Sequence, residues 1–260
     1  MNKVAQLFIA AAMPLLMPAA YAADLEREKR IADQIVDAIF DGEPIYLEAG
    51  GHEFLAIHMP SEAKEVKGAA IILHGRGLHP NWETIVHPLR TALPEEGWDT
   101  LAIQLPVLGK EAKYFDYVPL FPEAYPRIEA AIAYLRQQGV KPIILIAHSC
   151  GAHMAMNWLD ENGDDAIAAY IGIGMGATDY KQPMEHPFPL AKMSVPVLDI
   201  YGSKDYPAVL RMAPERKAMM EQAGNPQSAQ HAITGAEHYF NGHNDALIEV
   251  ISDWLRSLKF

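Results

Sequence analysis

An α/β fold built on a mostly parallel central sheet is what this sequence predicts, on two observations. Short, continuously apolar runs alternate with amphipathic stretches of helical period, the pattern of strands buried on both faces beneath covering helices. Glycine-containing turns close these runs at Gly75, Gly174 and Gly202, and in such sheets ligands sit beyond the carboxyl ends of the strands. The reading is a sheet of about eight strands with helices on both faces, forming one domain over residues 23–260.

Residues 1–22 are read as a signal peptide. Lys3 supplies the positive start, residues 4–17 are apolar apart from Gln6, and Ala20-Tyr21-Ala22 has the small-x-small pattern of a signal-peptidase site, leaving Ala23 as the mature start. The apolar run falls short of the roughly 20 residues that span a bilayer, and Pro14 and Pro18 interrupt it, so no integral span is expected after cleavage. Export implies a periplasmic or secreted protein. Cys150 is the only cysteine, so no internal disulfide forms and the core alone must hold the fold. The net charge of −12, or −13 once Lys3 is removed, argues against nucleic acid and anionic headgroups as main partners.

The elements follow in order. Residues 25–40 form a charged amphipathic helix with Ile31, Ile35, Val36 and Ile39 on one face, ended by Asp41-Gly42. Strands at 45–47 and 53–59 flank Gly50-Gly51. Alternation then becomes regular: strand 69–73, helix 82–93, strand 98–105, helix 125–138, strand 142–147, helix 149–159 and strand 168–174. A strand at 195–201, a helix at 207–222, a strand at 230–233 and a helix at 246–258 complete the chain.

The strand at 142–147 runs straight into Ala147-His148-Ser149-Cys150-Gly151 and then a helix. This is a small-x-Ser-x-small elbow with Ala147 at its first position. Small residues are needed because the serine sits on a sharp, strained turn where larger flanking side chains would strike the backbone. The turn also places Ser149 at the positive end of a helix, where developing negative charge is favoured.

With this elbow in this strand order, the sequence resembles the α/β-hydrolase superfamily over nearly the whole mature chain. Within it, the chain is similar to a poorly characterised group of compact exported bacterial proteins. The resemblance implies an α/β-hydrolase fold with a His-Gly turn after the third strand that helps form an oxyanion hole, here His74-Gly75-Arg76-Gly77. It also implies the order nucleophile, acid, histidine. Asp205 follows the strand at 195–201 and His238 follows the last strand, so these complete a triad with Ser149. The backbone N–H of Cys150 and that of Arg76 or a near neighbour are the expected oxyanion donors.

Other readings compete. Asp179, after the preceding strand, is the runner-up acid. Cys150 is read as packing rather than as a nucleophile, because the elbow points residue 149 into the site. The histidines show no metal-ligand spacing: His52-Glu53 lacks the second His of His-Glu-x-x-His, and His148 and His153 do not share a helix face. His74 is read as a structural partner within its turn. Gly172-Ile173-Gly174-Met175-Gly176 lacks a phosphate-loop Lys-Ser/Thr, so no cofactor is expected.

The loop between Pro106 and Arg127 carries Tyr114, Phe115 and Tyr117. It either packs on the domain surface or forms an aromatic wall over Ser149. Tyr114, Phe115, Tyr117 and His148 are the candidate substrate-binding residues. Residues 178–194 occupy the place where larger members of the superfamily insert a cap; the segment is short, so an open site with only a short cap is expected. The leading expectation is a serine hydrolase taking a small-molecule or lipid-like acyl substrate, cleaving a carboxylic ester or a related thioester or amide. The alternative is a catalytically silent member of the fold serving as a binding or envelope-assembly protein.

Overall fold

A computed structural model describes residues 23–179 and 182–260, so the signal-peptide reading lies outside the described residues. The chain enters through helix α1 (Leu25–Ile35), whose first turn is capped by the Asp24 carboxylate accepting the Arg27 N–H at 2.9 Å. Strands β1 (Glu43–Ala49) and β2 (His52–Met59) form an antiparallel hairpin around Gly50-Gly51. The remaining strands are β3 (Gly68–Leu73), β4 (Trp98–Ile103), β5 (Ile143–His148), β6 (Ala169–Ile173), β7 (Val197–Gly202) and β8 (Ala229–Ile233).

These strands make one eight-stranded sheet in the order β1-β2-β4-β3-β5-β6-β7-β8. The β1–β2 and β2–β4 pairs are antiparallel, and every pair from β4 through β8 is parallel. All residues of β3, β4, β5 and β6 are buried, which is why these runs are apolar without interruption.

The period of two divides the core. Leu73, Leu101 and Leu145 point to one face and pack beneath helices α4 (Phe121–Gln137) and α5 (Cys150–Asn162), against Ile128, Leu135, Met154 and Trp158. Ile72, Ile144, Ile146 and Ile171 point to the other, under helices α2 (Val86–Ala92) and α7 (Asn244–Ser257), against Leu89, Ile251 and Leu255. Each fully buried Ile or Leu contributes about 1.5–3 kcal/mol from burial. Helix α6 (Pro207–Ala223) follows β7.

Two expectations need adjusting. The helix expected over 82–93 begins only at Val86, because Ile85 has φ 62 and breaks helical geometry; the His87 N–H instead closes a turn onto the Trp82 carbonyl at 2.9 Å. Conversely, residues 114–124, within the expected loop, are largely helical. A short helix α3 (Tyr114–Tyr117) is capped by the Asp116 carboxylate, which accepts the Lys113 N–H at 2.7 Å. Pro119 and Pro122 lie at the starts of a 3-10 turn and of α4, where a missing N–H costs nothing. The described part of residues 178–194 contains one 3-10 turn, Leu190–Lys192, and no cap domain.

Candidate active site

Strand β5 ends at His148, and Ser149 turns the chain at φ 55 and ψ −118 before α5 begins at Cys150. That backbone is strained for a residue with a side chain, and strain of this kind collects where a side chain must be presented at an unusual angle. The turn is anchored by the Ser149 N–H donating to the Ile173 carbonyl at 2.9 Å. It also demands Gly151, since a Cβ there would lie 2.4 Å from the His74 carbonyl oxygen.

Three side chains from three strand ends converge on this turn. His238 Nε2 accepts from the Ser149 hydroxyl at 2.8 Å, and His238 Nδ1 donates to Asp205 Oδ1 at 2.6 Å. A carboxylate only accepts, which fixes the proton on Nδ1 and leaves Nε2 free to take the serine proton. Asp205 is itself fixed by the Tyr206 N–H, which donates to the same oxygen at 2.6 Å. Asp205 and His238 are buried, while Ser149 keeps 9% of its surface exposed to a pocket of about 530 Å³.

The surrounding histidines are braces. His148 Nε2 donates to the His238 carbonyl at 3.1 Å and steadies the loop that carries the triad histidine. Burial, reinforced by the neighbouring His238, holds the His148 imidazole well below its ordinary value, so it stays neutral. His74 Nδ1 donates to the Gly75 carbonyl at 2.8 Å, and Nε2 accepts the Leu105 N–H at 2.9 Å. Burial pushes His74 down to about 3, so it shapes the His-Gly turn as a neutral group.

Asp179 is engaged elsewhere. Its Oδ1 lies 3.0 Å from Arg76 Nη1, and its Oδ2 accepts from the same nitrogen at 3.2 Å and from the Tyr114 backbone N–H. Asp205, not Asp179, is the carboxylate at His238. Cys150 has its thiol buried and pushed up to about 12 by that burial, with no thiolate at neutral pH. As the first residue of α5 its N–H has no partner within the helix, and Cys150 lines the pocket together with Arg76.

Of the expected substrate-binding residues, Tyr114 and His148 line the pocket. Tyr117 does not: it is buried, and its hydroxyl accepts the Leu108 N–H at 2.9 Å. Phe115 is exposed and also lies outside the pocket lining. Two tyrosines that sequence reasoning missed do line it. Tyr206 stacks on His238 with ring centroids 4.1 Å apart and planes at 24°, and Tyr239 stands edge-on to the same ring at 5.2 Å. Each directly follows a triad residue in sequence, which was the available signal. Among the described residues no group of three or more His, Cys, Asp or Glu side chains could hold a metal ion, and no helix is long and apolar enough to cross a membrane.

Over residues 6–114 and 123–257 the sequence matches the family described as Protein of unknown function (DUF3530). The chain belongs to the DUF3530 family. No curated protein matches it in sequence. Solved structures resemble this DUF3530 chain closely in shape. An α/β serine hydrolase homologue from Coxiella burnetii superposes with a TM-score of 0.62 at 20% identity, over 85% of this chain and 99% of that one. An α/β serine hydrolase from Xanthomonas campestris, described as without a lid, gives 0.63 at 16% identity, over 84% and 95%. Est1E from Butyrivibrio proteoclasticus gives 0.62 at 18% identity, over 82% and 97%, and has also been solved with ferulic acid bound. At these identities the likeness shows the fold, and this DUF3530 protein has the α/β-hydrolase fold.

Proposed function

We propose that this chain is a serine hydrolase that cleaves a small carboxylic ester, or a related thioester or amide, through an acyl-enzyme on Ser149. The observation that carries the reading is the continuous Ser149–His238–Asp205 relay, with bonds of 2.8 and 2.6 Å, placed on a strained elbow at the mouth of a pocket. A merely structural role would not require a serine held in strained backbone geometry beside a correctly tautomerised imidazole.

In the proposed reaction Ser149 Oγ attacks the acyl carbon while His238 Nε2 takes its proton. The oxyanion so formed faces the Cys150 and Arg76 N–H groups, and loss of one such donor costs about 3–4 kcal/mol in comparable sites. The bond to the leaving group breaks, and the imidazolium, stabilised by Asp205, returns the proton to the departing oxygen. Water then attacks the acyl-enzyme by the same route in reverse, releasing a carboxylic acid and Ser149.

Tyr114, Tyr206 and Tyr239 line the pocket, and this favours a compact acyl or aryl group over a long enclosed chain. The lidless Xanthomonas campestris neighbour and the ferulic acid seen in Est1E are consistent with such a site. We place the enzyme in the periplasm or outside the cell, on the strength of the N-terminal signal pattern.

The test is hydrolysis of a 4-nitrophenyl ester series from acetate to laurate by wild type and Ser149→Ala. Turnover by wild type, highest for the short acyl groups and absent in the variant, supports the proposal. No turnover of any ester by folded wild type would overturn it.

A further inference from the structure

We infer that the protein carries a receiving site for its own processed N-terminus: cleavage after Ala22 frees the Ala23 ammonium, which the Glu123 carboxylate binds. Two independent observations meet at this one residue. The sequence pattern Ala20-Tyr21-Ala22 sets the cut immediately before Ala23. In the structure Ala23 is only 7% exposed, and its nitrogen already donates to Glu123 Oε2 at 3.0 Å.

In the uncut chain that nitrogen is a neutral amide with one N–H. Hydrolysis adds the hydroxyl of water to the Ala22 carbonyl carbon and hydrogen to the Ala23 nitrogen, which takes a further proton to become an ammonium. The contact then changes from an amide N–H donating to a carboxylate to an ammonium–carboxylate ion pair, in which both partners are charged.

Three residues just beyond Ala23 are anchored as well. The Asp24 N–H donates to the Val107 carbonyl at 2.8 Å. Glu28 pairs with the buried Arg127 of α4 at 2.7 Å. Arg27 donates to the Leu108 carbonyl and, at 3.3 Å, to the carbonyl of Gly77, the neighbour of Arg76. Glu123 sits in the first turn of α4, which follows the short helix bearing Tyr114. The new terminus therefore ties the start of α1 to α4, while Arg27 of α1 reaches the segment that carries Arg76. This reading does not depend on Ser149 chemistry.

The full chain is expressed in a bacterial host and the exported product is characterised by intact mass. Its thermal midpoint is then compared with three variants: Glu123→Gln, a chain with Gly-Ser inserted between Ala22 and Ala23, and the two combined. The insertion leaves processing after Ala22 possible but moves the free amine two residues away. The expected product starts at Ala23. Each single change lowers the midpoint by about 2–4 °C, as loss of a partly buried ion pair does in a domain of this size, and the combination lowers it no further. A mature terminus elsewhere, an insertion without effect, or fully additive losses would overturn the inference. Glu123→Gln keeps the shape of the side chain, so its result stands even where the insertion hinders export.

Discussion

Replacing Gly174 with alanine tests whether the triad is held as tightly as its geometry requires. Gly174 closes β6 with φ +60, and a Cβ placed there would lie 2.9 Å from His238 Cε1, 3.1 Å from Nδ1 and 3.4 Å from Asp205 Oδ2. Left-handed backbone costs a residue with a Cβ roughly 1–2 kcal/mol, which in a domain of this size lowers the melting midpoint by about 2–8 °C. The steric part acts on chemistry. Restoring ordinary contact, which begins at 3.4 Å, moves the imidazole by about 0.5 Å away from Gly174. Misplacing a catalytic group by about 1 Å costs on the order of 100-fold, so a loss of roughly 10- to 100-fold in kcat/KM is expected.

Gly224→Ala is the matched control, because that glycine has φ +76 with nothing within 4 Å of an added Cβ. It shares the backbone cost without the collision. Both variants should melt earlier, and only Gly174→Ala should lose 4-nitrophenyl acetate turnover. Equal turnover in wild type and Gly174→Ala, at full folding, would refute the claim that His238 is fixed in place by close contact with β6.

Further outcomes follow from the same geometry. Asp205→Asn leaves His238 without a carboxylate and should lower turnover by about 10³–10⁴-fold, whereas Asp179→Asn removes the charge of a partly exposed pair with Arg76, worth about 1 kcal/mol or less, and keeps an amide oxygen that can accept the Tyr114 N–H, so it should cost no more than about fivefold; reversed effects in steady-state assays would reassign the acid. Cys150→Ala keeps the backbone N–H and removes a thiol that is protonated at neutral pH, so turnover should stay within about threefold, and a loss on the order of 100-fold would give the sulfur a role in the reaction. His153, buried between Phe121 and Phe188, is pushed down to about 3 by that burial from an ordinary 6.5. Between these values the unfolded chain binds a proton that the native chain does not, so stability falls as pH drops below about 6.5, by about 1.4 kcal/mol per unit for this residue. Urea unfolding of His153→Leu at about pH 5 and pH 6 should show a pH slope reduced by that amount, and parallel slopes for wild type and variant would contradict the buried neutral histidine.

What could be read from the sequence was what is local or periodic. The apolar runs at 69–73, 98–105, 142–147 and 168–174 announced buried parallel strands, and the strands found there, β3 to β6, are buried along their whole length. Chain order then put Ser149, Asp205 and His238 each after a separate strand, and parallel strands bring such ends to one edge. What escaped depends on contacts distant in sequence or on a single dihedral. Ile85 breaks the start of α2 through its own φ, in a stretch whose apolar pattern reads as helical throughout. Pro119 and Pro122 fall in the stretch expected to be a loop, although at first-turn positions they start helices. Asp179 was an open alternative until Arg76, 103 positions away, was seen to hold it. Tyr206 and Tyr239 become pocket walls only because the β7 and β8 loops meet, with their hydroxyls 3.5 Å apart.

The central claim is that Ser149 is an activated nucleophile. It is tested most directly by incubating wild type, Ser149→Ala and His238→Ala with a fluorophosphonate probe and locating the adduct by peptide mass mapping. The account predicts one adduct, on Ser149 in wild type, with none in Ser149→Ala and strongly slowed labelling in His238→Ala. An unlabelled, fully folded wild-type protein, or an adduct on another residue, would contradict it.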